Sequence, residues 1–347
     1  MLGMTKRTFI ALAASTALMA GAPAFAQDNE EIVLGGSLPL TGVFGFAGVA
    51  IEAGIQDYLK ILNEEGGING RKVNFITYDD AYNPAQTLEQ VRRLVEQDEV
   101  LLIAGAVGTA HNIAVQRYLN QREVPHLLVN AGGGRWNDPD NYPWTMSGLL
   151  SPYGLEGFAF VKHAIEENPQ AKIAVLYQND DLGREYLEGV ERSIEGTEAT
   201  IVSSQSFEVM DPTVDGQVVS LHASGADTLM LFGAPRATAQ AIRKAADMNW
   251  QPARYIGSVA SVIQTTLVPA GLDISVGVIT STTQQDPADP EFQTTQEYRD
   301  YMDTIEGYLP DAEPTNGSVI AGYNVGHVLL QILREAGDDL TRQYLLQ

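Results

Sequence analysis

The 347-residue chain contains no cysteine. Disulfides, thiolate metal sites and a cysteine nucleophile are therefore excluded together, as is export by a lipid anchor, which needs a cysteine at the cleavage point. Basic residues are scarce, with 21 Lys and Arg against 44 Asp and Glu, for a formal net charge of −23. A surface this negative repels nucleic acid and anionic lipid, and an anionic ligand would need a local pocket of positive potential. Histidine is equally sparse. His111, His126, His163, His222 and His327 are dispersed, and none stands at metal-ligand spacing from a second candidate ligand. There is no Gly-x-Ser-x-Gly elbow and no Gly-x-x-x-x-Gly-Lys phosphate loop. The expectation is a protein with no metal, no cofactor and no catalytic function.

Long apolar runs are missing beyond the first residues. Lys6 and Arg7 form a short basic start, an apolar stretch follows from Thr8 to Ala22, and Ala24-Phe25-Ala26 supplies a small-x-small cleavage pattern. Residues 1–26 are thus expected to be a signal peptide cut before Gln27. The competing reading, a membrane anchor, needs a longer apolar span. Removing Lys6 and Arg7 makes the mature chain still more acidic by two charges, and places it outside the cytoplasm.

What remains is a regular alternation of strand and helix. Ile32-Val33-Leu34 reads as a buried strand, and a helix follows with Ile51, Ile55, Tyr58, Leu59 and Leu62 on one face. Gly66-Gly67-Ile68-Asn69-Gly70-Arg71 is a turn by composition. A strand from Val73 to Tyr78 ends at Asp79-Asp80, and a helix over Pro84–Gln97 begins with its proline at a permitted first-turn position. Strand Val100–Ile103, helix Asn112–Leu119 and strand His126–Val129 complete this run. After Pro143 the rhythm restarts: helix Leu155–Glu166, strand Ile173–Tyr177, helix Gly183–Ile194, strand Thr200–Ser206, helix Val214–Ser224, strand Thr228–Phe232, helix Ala237–Met248 and strand Tyr255–Gly257. A strand at Val276–Thr280 and helices near Gln293–Ile305 and Gly317–Ala336 close the chain. The pattern predicts two α/β lobes with doubly wound parallel sheets, and crossings near Tyr142–Leu149 and Val276–Thr283. In such sheets ligands bind beyond the carboxyl ends of the strands.

Two motifs keep two readings each. Asp79-Asp80 is either a catalytic or metal pair, or a polar strand end feeding a turn. Gly132-Gly133-Gly134 marks a close backbone approach to something, with no Gly-x-Gly-x-x-Gly frame to identify a phosphate.

The segments GSLPLTGVFGFAG (36–48), NEEGGINGRKV (63–73) and YDDAYNP (78–84) resemble the type I periplasmic binding proteins of leucine/isoleucine/valine kind, the receptors of branched-chain amino acid ABC transporters. The resemblance runs from about Glu31 to Leu340. It implies two lobes joined by a hinge, residues 27–146 with 280–347 in the first and 147–279 in the second. It also implies a monomeric periplasmic protein of a Gram-negative bacterium that captures a small-molecule solute for a membrane permease. The family runs on for several more elements past a helix such as the one ending near Ala336, so the C-terminal end is expected to be truncated.

Carried over residue by residue, the resemblance departs from an amino-acid site. The hydroxyl-rich loop after the third strand is reduced here to Gly108, Thr109 and Ala110, with Thr109 the one hydroxyl. The next loop, which usually ends in threonine, is Gly132-Gly133-Gly134. The acid that meets the ligand ammonium in the second lobe is replaced by Val259. Arg236, opening a helix after strand Thr228–Phe232, is either a carboxylate clamp or a solvent-facing arginine. Phe46, Leu182 and Val259 would line an apolar chamber. The expected solute is a small hydrophobic or aromatic carboxylate. Three alternatives stand beside it: a branched-chain amino acid receptor, a periplasmic sensing subunit and a secreted α/β hydrolase.

Overall fold

A computed structural model describes residues 31–346 apart from 311 and 338; the expected signal peptide at 1–26 lies outside them. The first half carries β1 (Ile32–Leu38), α1 (Gly45–Glu64), β2 (Val73–Asp79), α2 (Pro84–Glu96), β3 (Ile103–Ala104), α3 (Thr109–Gln121), β4 (His126–Val129) and β5 (Thr145–Ser147). The second carries α4 (Tyr153–Glu167), β6 (Lys172–Gln178), α5 (Asp181–Ile194), β7 (Thr200–Phe207), α6 (Asp215–Ala223), β8 (Thr228–Phe232), α7 (Pro235–Asp247) and β9 (Ala253–Ile256). A π-turn at Ile263–Leu267 and the short helices α8 (Val268–Ala270) and α9 (Leu272–Ser275) precede β10 (Val278–Thr280), and α10 (Gln296–Tyr308) and α11 (Gly317–Ala336) follow.

The strands form two five-stranded sheets, ordered β2-β1-β3-β4-β5 and β10-β9-β8-β6-β7, with every pairing parallel. These are the two parallel-sheet α/β lobes that the strand–helix alternation predicts. Each strand between two helical layers is buried on both faces, which is why His126–Val129 and Thr228–Phe232 are solvent-free throughout. In the first lobe α1 and α11 cover one face around Leu34, Ile55 and Leu329, while α2 and α3 cover the other around Leu94, Ile103 and Val115.

Helices α1 and α11 approach closely because glycines face each other. A Cβ on Gly54 would lie 2.0 Å from the carbonyl oxygen of Gly322, and one on Gly322 would lie 1.9 Å from that of Ala50. This contact returns the end of the chain to the first lobe, where Arg342 donates to the carbonyls of Val100 and Leu101 and Leu345 joins the core.

The structure moves some boundaries. The apolar run 100–103 predicts a strand, yet β3 spans only Ile103–Ala104, although Leu101 already donates to Val33. Strand β10 begins after Gly277, whose φ of +83° breaks extended backbone. Strand β5 lies inside the segment expected as a bare crossing. Among the described residues no helix is long and apolar enough to cross a membrane.

Candidate functional site

Between the lobes lies a cavity of about 390 Å³. Its first-lobe wall comes from the turn into α1 (Phe44, Phe46), the turn after β2 (Tyr82), the entry to α3 (Val107, Gly108) and the first turns of α11. Its second-lobe wall comes from Leu182 in α5 and from Ser258, Val259 and the residues through Leu267. Thr280 to Pro287, where the chain returns to the first lobe, closes one side. All of these stand at the carboxyl ends of the strands.

The turn after β2 is built by the two aspartates. Asp79 accepts from the main-chain N–H groups of Leu40, Thr41 and Ala81 and from the Thr41 hydroxyl. Asp80, fully buried, accepts from Ser37, Thr87 and the N–H of Tyr82. Burial raises the Asp80 carboxyl, and these hydrogen bonds oppose the rise. With both carboxylates engaged, Ala81 and Tyr82 adopt positive φ, which swings the Tyr82 ring over Phe44 at 4.3 Å and His111 at 4.0 Å. Burial keeps the Tyr82 phenol protonated, well above its ordinary range, and Asp180 of the opposite lobe adds to the shift. The Asp79-Asp80 pair is thus a turn-building device. No group of acids and histidines among the described residues is arranged to hold a metal ion.

Gly108 opens α3 at φ +97°. A Cβ there would strike His111 Nδ1 at 2.5 Å and the Tyr82 ring at 2.8 Å, so glycine is required both by dihedral and by space. Asn112 holds this entry, donating to the carbonyls of Gly108 (2.7 Å) and Ala106 (2.9 Å) and accepting from His126 Nε2 at 2.8 Å. Complete burial pushes His126 down to about 3, so it stays a neutral donor.

The sequence-predicted residues divide. Phe46, Gly108, Leu182 and Val259 line the cavity. Thr109 and Ala110 follow Gly108 in the first turn of α3, Thr109 buried and outside the lining. The Gly132–Gly134 loop does not line the cavity either; it meets the second lobe. Gly134 N–H donates to Glu185 Oε1 at 2.8 Å and Gly132 accepts from the N–H of Tyr153 at 2.7 Å, so the glycines let another part of the same chain approach. Arg236 is corrected most. It is exposed, and its guanidinium donates to the carbonyls of Val209 (3.2 Å) and Asp211 (2.7 Å) on the outer side of the second lobe. As the first residues of α7 fix its direction outward, it supplies no cation to the cleft.

Among the described lining residues Asp286 alone is charged; the rest are aromatic, aliphatic, hydroxyl or amide groups. Two features escaped sequence reasoning. One is the segment Val262–Leu267, a π-turn whose irregular spacing gives no helical or strand period. The other is Glu156, buried in the first turn of α4, which accepts from Tyr186 (2.9 Å), Ser281 (2.8 Å), and both the N–H (3.0 Å) and hydroxyl (2.7 Å) of Ser258. One carboxylate thereby ties the cleft loop to the returning crossing.

Residues 31–347 match the family described as periplasmic binding protein. A curated relative, Leu/Ile/Val-binding protein homolog 7 of Brucella suis, is 21% identical, covering 95% of this chain and 82% of that one. Among solved structures, a fatty acid ABC transporter substrate-binding protein from Thermomonospora curvata is 20% identical with a TM-score of 0.78, covering 91% of this chain and 79% of the other. A solute binding protein of an R. palustris ABC transporter, in complex with benzoate, is 18% identical with a TM-score of 0.77, covering 91% and 84%. With two parallel-sheet lobes, a cavity between them and a match over all the described residues, the chain belongs to the periplasmic binding protein family, as a solute-binding protein and not an enzyme.

Proposed function

We propose that this protein is the capture component of an ABC importer and that its solute is a small hydrophobic carboxylate. The observation that carries the reading is the wall chemistry of the cleft: Phe44, Phe46, Val107, Leu182 and Val259 present apolar surface, and the polar groups beside them are uncharged except for Asp286. A mostly apolar concavity with a few polar groups fits an apolar solute oriented by one polar end. The carboxylate is received by neutral donors, the main-chain N–H groups of the first turn of α3 beside Gly108 and the hydroxyls of Ser258 and Thr280. Helix N-termini favour an anion in this way without a formal cation. Solved relatives of the same fold include one in complex with benzoate.

The branched-chain amino acid alternative, favoured by the name of the Brucella suis relative, lacks a partner for the ammonium. Val259 supplies none, Glu156 is already saturated by four donors, and burying an unpaired ammonium is heavily penalised.

Thermal shift with benzoate, phenylacetate, octanoate and leucine tests the reading, since a true ligand raises the melting temperature by mass action. Stabilisation by the acids and not by leucine is expected, and Arg236→Ala should leave it unchanged within about twofold in apparent affinity, as expected for a surface residue making no ligand contact. Stabilisation by leucine alone would remove the carboxylate reading.

A further inference from the structure

The cavity is long as well as apolar. One end touches Gly108 at the start of α3, and the other touches Gly317 and Ala321 at the start of α11. Helix α3 covers one face of the first sheet and α11 covers the opposite face. A single cavity that reaches both helix entries therefore runs across the whole carboxyl edge of that sheet. Beyond the aromatic end formed by Phe44, Phe46 and Tyr82, it continues as an arm between the π-turn of the second lobe and the N-terminal turns of α11. The arm is walled by Val262, Ile263, Leu267, Ile320 and Ala321, with Pro287 beside them. Val262 packs across the lobe boundary, its methyl groups 3.7 and 3.9 Å from where a Cβ on Gly317 would stand, so the arm is bounded by contact between the lobes.

We infer that this arm is a tail subsite, and that the solute is an elongated amphipath with a polar head near α3 and an alkyl or arylalkyl chain of roughly eight to twelve carbons. The head-group part of this inference rests on the carboxylate reading above; the tail part does not. The total volume of about 390 Å³ falls in the range of roughly 300–1,000 Å³ that accommodates drug-sized ligands, and a single leucine or benzoate would leave the arm empty. An unfilled apolar arm forfeits dispersion contacts along its whole lining. A methylene chain fills it without needing any further polar partner, which the arm walls of Val262, Ile263, Leu267, Ile320 and Ala321 do not offer.

Titration calorimetry with straight-chain carboxylates from butanoate to dodecanoate, and in parallel with the corresponding primary alcohols, tests the subsite. Each added methylene should tighten binding roughly three- to fourfold while it still enters the arm, as expected for transfer of one CH₂ from water, and the gain should stop once the arm is full. Ala321→Phe, which fills the arm, should abolish the gain for decanoate while leaving butanoate within about twofold, since volume change acts locally in a packed wall. Ile263→Gln, at a partly exposed position where folding is not at risk, should reduce the gain for the long members only. Length dependence in the alcohols without binding of the acids would uphold the tail subsite and defeat the carboxylate head. Affinity that is flat with chain length, or absent for every member of both series, would overturn the tail subsite.

Discussion

Glu185 in the second lobe accepts a hydrogen bond from the main-chain N–H of Gly134 in the first, at 2.8 Å. Burial raises the Glu185 carboxyl above its usual range, and this bond from Gly134 is the largest influence holding it down. The pair joins the lobes across their boundary and so contributes to the closed arrangement. A ligand that needs both lobes binds in proportion to the closed population. Glu185→Ala should weaken solute affinity roughly two- to tenfold, the range of one charge-assisted hydrogen bond at a partly exposed site, and should expand the ligand-free protein in small-angle scattering. Glu185→Gln, which keeps an acceptor, should recover most of the affinity. Equal affinity and equal radius of gyration in all three proteins would show that the contact does not bias closure.

Glu156 has a different job. With 3% of its surface exposed, it is the common acceptor for Tyr186, Ser258 and Ser281. Glu156→Ala leaves those donors buried without a partner and should lower unfolding free energy by about 2–4 kcal/mol. Because Ser258 lines the cavity while Ser281 lies on the returning crossing, Ser258→Ala and Ser281→Ala should also be non-additive in solute affinity, as neighbours sharing one network are. Strict additivity in a double-mutant cycle would deny the coupling.

Asp57, on α1, has a buried Oδ2 with no hydrogen-bond partner, and burial raises its carboxyl to about 6 against the pull of Lys60. A carboxyl raised in the folded state contributes stability that is fully present below its unfolded value near 3.8 and is lost as pH rises through about 6. Asp57→Asn should therefore match the wild type in melting temperature near pH 4 and exceed it at pH 7.5. A constant difference across that window would place the origin of the effect elsewhere.

The fold was legible because its determinants are local. Apolar runs of four to seven residues ending in polar turns announced β1, β2, β4, β6 and β8, and Asn69-Gly70 adopts the positive φ its composition requires. The cleft was legible in part. Phe46, Gly108, Leu182 and Val259 lie on short loops directly after strands, where sheet topology alone dictates their position. Arg236 shows where that reasoning stops. It follows strand β8 as expected, but main-chain carbonyls at 209 and 211, distant in sequence, turn its guanidinium outward. The triple glycine announced a close approach without naming Glu185 as the group that approaches. Tyr82 was present in a quoted segment, yet its reach into the cleft depends on two consecutive positive φ values set by Asp79 and Asp80, which no periodicity reveals. The π-turn and the first residues of α11 joined the cavity only through packing between the lobes.

The central claim is that the cleft selects an apolar carboxylate because Val259 stands where an acid would be needed to meet an ammonium. Calorimetric titration of octanoate and of leucine into the wild type and into Val259→Glu tests it most directly. The account predicts that the wild type binds octanoate and not leucine, and that the new carboxylate weakens octanoate at least tenfold, since like charges held in a desolvated cleft repel by more than about 1.4 kcal/mol, while admitting leucine. Tight binding of leucine by the wild type, with octanoate unbound, would contradict it.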